Sequence, residues 1–282
     1  MTVEEYFNNG MSKFGQQDFK GAIADFTNAI ESNFTNAIEV NPNDTDENKF
    51  VKKYIEDTVK IINKGRSYVF RGLAKCKMQN YHGANEDCIK AIQISATDEV
   101  VHYNCGHVKI YQQDYKGAIA DFTNAIRINH KYAEAFNDRG IIKNRNDDVA
   151  GALNDFNKAI EINPNYSGAY YNRGNAKSKV NDYDGALADY TKAIEIKPNY
   201  PSAFNGRGNV KQQKKDYKGA INDYNKAIEI NPIYIEALIS RAVAKENMLD
   251  SSGALMDYFL HTYFRTRKPY SLLQYGKYKT QD

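Results

Sequence analysis

The chain is predicted to be all-α, a solenoid of antiparallel helix pairs. Three observations predict it: a 34-residue period, small side chains at fixed places within that period, and apolar spacing that follows a helix face. The segment from Asp182 to Pro198 recurs almost residue for residue from Asp148 and from Asp216, 34 positions away on either side. Extending the frame gives copies near 3–36, 65–98, 99–132, 133–166, 167–200, 201–234 and 235–268. An insertion at 37–64 and a basic, Tyr-rich tail or cap at 269–282 complete the chain.

Within each copy several positions hardly vary. Position 8 is Gly10, Gly72, Gly106, Gly140, Gly174 and Gly208, then Ala242. Position 20 is always Ala (Ala22 through Ala254), and position 27 is Ala until His261. Position 24 is bulky: Phe26, Phe122, Phe156, Tyr190, Tyr224 and Tyr258, with Cys88 the exception. Small residues at 8, 20 and 27 let two helices approach closely, and the aromatic fills the space around them. Ala186, Leu187, Tyr190, Ala193 and Ile194 follow the i, i+1, i+4, i+7, i+8 spacing of one helix face. Asp148, Asp182 and Asp216 at position 16 are plausible N-caps for the second helix, and Pro164, Pro198 and Pro232 at position 32 stop it. A single pair buries only part of its apolar face, so neighbouring pairs must stack.

These columns resemble the tetratricopeptide pattern, and the resemblance covers residues 3 to about 268. It implies a right-handed superhelix whose concave face is lined by the first helices, and a chain that binds other proteins without catalysing a reaction. Repeats fill nearly the whole chain and leave no room for a catalytic domain.

The insertion opens with a tandem duplication, Phe26-Thr-Asn-Ala-Ile-Glu-Ser-Asn followed by Phe34-Thr-Asn-Ala-Ile-Glu-Val-Asn. It predicts a lengthened second helix ending near Pro42. Beyond a polar loop, Phe50, Val51, Tyr54, Ile55, Val59 and Ile62 predict an extra amphipathic helix, either a packing element at the solenoid's end or a docking element. At the other terminus His261, Thr262 and Thr266 replace the usual Ala, Ile and Pro, as a terminal repeat facing water allows. The tail beyond it is read as a frayed cap or as a contact for an acidic partner or anionic lipid.

Three charged columns look chemical. Position 7 is Arg in Arg71, Arg139, Arg173, Arg207 and Arg241; position 11 is Lys in all seven copies; position 23 is Asp in all seven. Cations at i, i+4 repel by a few tenths of a kcal/mol. In a hairpin turning near position 15, the Asp lies opposite both and reverses that sign. The columns therefore predict a salt-bridge ladder between paired helices, with Asn9 and Cys105 leaving their copies without the Arg partner. A row of phosphate sites is the competing reading. His102, Cys105 and His107 share one helix, but the histidines are about 140° apart around it, poor geometry for one metal. No catalytic triad, phosphate loop or cofactor motif is present.

The formal net charge of +3 gives no sign of a nucleic-acid binder, and 41% apolar residues are too many for a disordered chain. Three cysteines, never paired as Cys-x-x-Cys, point to a reducing compartment. With no membrane-length apolar run and an acidic N-terminus, the expectation is a cytoplasmic protein whose partner is another protein or a peptide segment.

In the family the concave face takes positions 2, 5, 6, 9, 12 and 13 of each first helix. Early copies offer apolar and aromatic groups there, including Phe70 and Tyr103. Later copies offer Tyr171 and neutral amides: Asn137, Asn172, Asn175, Asn205, Asn209, Gln212 and Gln213. An amide can pair with a peptide backbone unit, so these residues are candidates for partner binding. The column is similar to the asparagine ladder of O-linked N-acetylglucosamine transferases and unlike the dicarboxylate clamp of chaperone adaptors. Plain solvated asparagines are the alternative.

Overall fold

A computed structural model of the chain describes residues 1–31 and 46–266. Among these residues all regular structure is helical. The helices are α1 (Val3–Gly15), α2 (Phe19–Glu31), α3 (Asp46–Lys77), α4 (Tyr81–Ile94), α5 (Glu99–Tyr111), α6 (Tyr115–Ile128) and α7 (Ala133–Arg145). They continue as α8 (Val149–Ile162), α9 (Ser167–Lys179), α10 (Tyr183–Ile196), α11 (Pro201–Gln213), α12 (Tyr217–Ile230), α13 (Ile235–Asn247) and α14 (Ser251–Thr266). The chain divides into two compact units, Met1–Ile142 and Lys143–Asp282.

Each hairpin is made by the same local chemistry. The first helix closes on a residue in the left-handed region, with φ of 61–65° at Gln17, Gln79, Gln113, Asp147, Asn181, Lys215 and Leu249. The next N–H then reaches back five residues, as Asp182 N–H does to the Lys177 carbonyl at 2.9 Å, which satisfies an otherwise orphaned helix end. Position 16 is the N-cap throughout. Asp18, Asn80, Asp114, Asp148, Asp182, Asp216 and Asp250 each accept from the N–H of the glycine three residues on, at 2.9–3.0 Å. A Cβ on Gly185 would lie 2.2 Å from Asp182 Oδ2, so the cap and the glycine require one another.

In the first unit the core runs from Ala22, Phe26 and Ala74, through Val69, Leu73, Cys88, Val101 and Cys105, to Ala118, Phe122 and Ile142. In the second, Ala186, Tyr190 and Val210 form one cluster and Ala220, Tyr224 and Ala244 the next. The small residue at position 8 is a contact requirement: a Cβ on Gly208 would sit 2.6 Å from the Tyr224 ring.

The insertion departs from expectation in its connection. The extra helix does not end before the copy at 65; α3 runs unbroken from Asp46 to Lys77 and so includes that copy's first helix. No proline stands between Ile62 and Arg66; Asn63 and Gly65 are carried inside the helix, where the Ser67 hydroxyl donates to the Asn63 carbonyl. Val59 and Ile61 are exposed on it rather than packed. The lengthened second helix toward Pro42, and the tail at 269–282, lie outside the described residues.

The charged columns form the ladder. Lys at position 11 pairs with Asp at position 23 in each copy, from Lys13–Asp25 to Lys245–Asp257, at 2.7–2.9 Å. Arg71, Arg173, Arg207 and Arg241 add bidentate bonds to Asp87, Asp189, Asp223 and Asp257. Burial is the largest single influence on Arg71 and opposes its charge, but the hydrogen bonding to Asp87 and the charges of Asp87, Tyr68 and Glu31 together raise its pKa. Where Cys105 replaces the Arg, His102 Nδ1 approaches Asp121 at 3.8 Å; Asp121 raises its pKa against the opposing effect of burial.

The arginines do more than the columns implied. Their remaining Nη1 donates backward to position 25 of the preceding copy. Arg71 reaches Thr27, Arg139 Thr123, Arg173 Asn157, Arg207 Thr191 and Arg241 Asn225, at 2.7–3.2 Å. One guanidinium thus bridges two copies. The column agrees with this: Ile89, apolar at position 25, precedes Cys105, where there is no arginine to satisfy.

Candidate partner-binding face

In the second unit the candidate residues lie on α9 and α11. Tyr190 and Tyr224 are buried at position 24, where a hydroxyl needs a partner. Tyr190 donates to Asn175 Oδ1 at 2.7 Å, and Tyr224 donates to Asn209 Oδ1 at 2.9 Å with Gln212 Oε1 at 3.1 Å. Burial raises both phenol pKa values, so the hydroxyls stay protonated donors. Fixing each amide oxygen orients its NH₂ group, a donor pair repeated on two neighbouring first helices. Asn175 is half-buried and Asn209 exposed.

Asn205 is buried, and among the described residues its Oδ1 has no hydrogen-bond partner. Asn172 and Tyr171 are half-buried, the Tyr171 ring lying 5.2 Å from that of Tyr200 and 6.0 Å from that of Tyr190. Gly206 stands where other copies carry a side chain because a Cβ there would meet the Tyr190 ring at 2.8 Å.

The first-unit candidates are differently placed. Phe70 is engaged in packing, its ring 5.6 Å from Phe7 and 6.1 Å from Phe26. Tyr103 donates to Asp138 Oδ2 at 2.7 Å and packs on Tyr132 and His107, at 4.8 and 4.7 Å. Asn137 is buried and donates to Asp138 Oδ1 at 2.9 Å, while His107 Nε2 lies 3.1 Å from Asp138 Oδ2. Asp138 therefore gathers Tyr103, Asn137 and His107. Sequence reasoning missed it, although an Asp at position 6 facing a His at position 9 was visible in the columns. The structure joins two of the named residues through Asp138 and orients two others on tyrosines; Phe70 joins neither set.

His102 is occupied structurally, its Nε2 lying 3.0 Å from the Ala96 carbonyl. Among the described residues no three His, Cys, Asp or Glu side chains come together as a metal ion would require. No described helix is long and apolar enough to cross a membrane.

The repeated hairpin, with its capped turn and small-residue contacts, defines an all-helical repeat protein. Family profiles of the tetratricopeptide repeat match residues 167–200 and 201–234, and a related profile matches 146–181. Residues 146–234 carry tetratricopeptide repeats. Among solved structures it is similar to PilW, described as a widely conserved type IV pilus biogenesis factor. The TM-score is 0.65 and the identity 18%, over 72% of this chain and 95% of that one. A tetratricopeptide repeat protein from Parabacteroides merdae matches with TM-score 0.64 and 14% identity, over 98% and 96% of the two chains. YrrB, described as having an unusual peptide-binding site, matches with TM-score 0.51 and 23% identity, over 69% and 96%. These likenesses concern the fold. Among curated protein sequences none matches.

Proposed function

We propose that the protein is a non-catalytic binding module that holds an extended segment of another protein on the first-helix face of its second unit. The observation that carries this is the pair of amides locked by buried tyrosines, Asn175 by Tyr190 and Asn209 by Tyr224. Donors held in place lose little freedom on binding, so each contributes more of its hydrogen bond to affinity. A peptide backbone offers carbonyl acceptors at regular intervals, which suits donors repeated on adjacent helices. Asn172, Asn205 and Tyr171 extend the same face, and the orphaned Asn205 oxygen is an acceptor for a partner N–H once neighbouring side chains yield. Tyr103, Asn137 and Phe70 belong to the first unit and are assigned a supporting role there. A reducing, cytoplasmic setting suits its three buried thiols.

The test uses Asn175→Asp with Asn209→Asp. A carboxylate still accepts the tyrosine hydroxyl, so folding is kept while the donors are lost. A displayed peptide library panned against the natural protein yields binders whose affinity falls at least about tenfold in the double variant, the scale of one to two lost hydrogen bonds. Equal recovery on both proteins would defeat the reading. A second reading, an assembly scaffold using the insertion and the tail, is favoured by the exposed Val59 and Ile61 on α3. It predicts that Val59→Ser with Ile61→Ser abolishes partner capture while the asparagine variants do not.

A further inference from the structure

Asp138 stands out on the first-helix face of the first unit. At positions 5, 6 and 9 of the seven copies it is the one carboxylate in the sequence. The ladder carboxylates are each matched to a lysine, whereas the partners of Asp138 are Tyr103, Asn137 and His107. Tyr103 and His107 both approach Oδ2, and the Asn137 amide takes one position on Oδ1. An ionised carboxylate has about four acceptor positions, so Oδ1 has room for a further donor. The side chain is 17% exposed, which leaves it within reach of an incoming group.

The second unit carries the same pair of rings in a different setting. Tyr171 packs on Tyr200 at 5.2 Å as Tyr103 packs on Tyr132 at 4.8 Å, in both cases from positions 5 and 34. There Gly206 takes the place of Asp138, and the Lys197 ammonium lies 5.0 Å from the Tyr200 centroid. The residue matching Lys197 ahead of Tyr132 is Asn129. The second unit thus supplies its own cation to the ring, and the first supplies a carboxylate instead. Charge around Tyr132 agrees: its pKa is raised, first by burial and then by the negative charges of Glu134, Glu99, Asp138 and Asp98.

We propose, resting on the reading of the chain as a binding module, that Asp138 and Tyr132 take a cationic side chain, lysine or arginine, from a partner segment. Tyr103 joins the two, its hydroxyl on Asp138 and its ring on Tyr132. A cation placed there gains a charge-assisted hydrogen bond from the carboxylate and the attraction of the ring face.

A displayed random-peptide library panned on the full chain supplies the probes, and each lysine or arginine of the recovered peptides is replaced in turn by glutamine. The expected result is one replacement per peptide that costs at least about tenfold in affinity on the natural protein and less than about twofold on Asp138→Asn. The asparagine keeps an acceptor for Tyr103 and His107, and circular dichroism checks that the variant folds. Tyr132→Leu leaves the carboxylate in place and serves as a second variant, on which the same replacement should cost about threefold less than on the natural protein. Recovered peptides without a cation, or a replacement cost that Asp138→Asn leaves unchanged, overturn the proposal. The Asn175→Asp, Asn209→Asp protein separates it from the reading of the second unit. Peptides weakened there but indifferent to Asp138 sink this proposal alone; peptides coupled to Asp138 that bind the double variant unchanged sink the second-unit reading alone. A library that yields no binder sinks both.

Discussion

Replacing Asp189 by Asn removes one negative charge from a site where two cations share it. Arg173 donates at 2.9 and 2.6 Å and Lys177 lies 2.8 Å away, while the carboxylate itself is buried. Losing one partner of a fully buried ion pair costs about 3–5 kcal/mol. Here the two cations are 19% and 23% exposed and can partly rehydrate, so the expected loss is smaller, about 2–3 kcal/mol. Arg173→Met should cost less, about 1–2 kcal/mol, because Asp189 keeps Lys177 while the bonds to Asp189 and to Asn157 and the stacking on the Tyr170 ring are lost. The double variant should fall short of the sum by about 1 kcal/mol or more, since each single change disables the same pair. Urea unfolding followed by circular dichroism measures the totals. Hydrogen exchange in α9 and α10 localises them, which matters because repeat arrays can unfold in parts. Additive costs, or an Asp189→Asn loss below about 0.5 kcal/mol, would refute the ladder as a stabilising element and leave it a surface charge pattern.

Three further outcomes follow from the same geometry. Leu249 is 91% exposed at φ 61°, so Leu249→Gly should stabilise the protein by about 0.5–1 kcal/mol, seen as a higher melting temperature; a lower one would contradict the strain. Gly208→Ala forces a methyl against the Tyr224 ring and should cost about 1–3 kcal/mol in urea, whereas Gly15→Ala, with open space around it, should change little. His102 has its folded-state pKa raised by Asp121, with burial and Arg127 working the other way. Its contribution is therefore full below about pH 6.5, the unfolded value, and fades as pH rises through the folded value. His102→Gln should then lower the melting temperature more at pH 5.5 than at pH 8.5, and equal shifts would remove the assigned role.

How much could be read in advance depends on the range of the contact. The period, the helix pair and the position-16 caps involve residues within one copy, and each copy repeats the same spacing, so a column of Asp or Gly is its own evidence. The ladder was legible for the same reason, because positions 7, 11 and 23 face one another across a single hairpin. The apparent binding face was harder. Asn175 and Asn209 looked like free amides in their column, and that each is matched to a tyrosine at position 24 emerges only when Asn175 is seen against Tyr190 and Asn209 against Tyr224. Phe70 read as groove lining, and only three-dimensional contact shows that its half-buried ring packs on Phe7 of α1 and Phe26 of α2.

The sequence by itself determined the repeated hairpin, its turn, its close-contact positions and the sharing of each Asp by cations one turn apart. The tertiary structure alone decided how one hairpin meets the next. The Arg173 bond to Asn157, the convergence of Tyr103, Asn137 and His107 on Asp138, and the unbroken passage of α3 through the insertion all depend on that offset between neighbours. The physical reason is that pairing within a hairpin follows from helix geometry and a short turn. The offset between hairpins is set by how side chains from separate copies interlock, and no single copy contains that information.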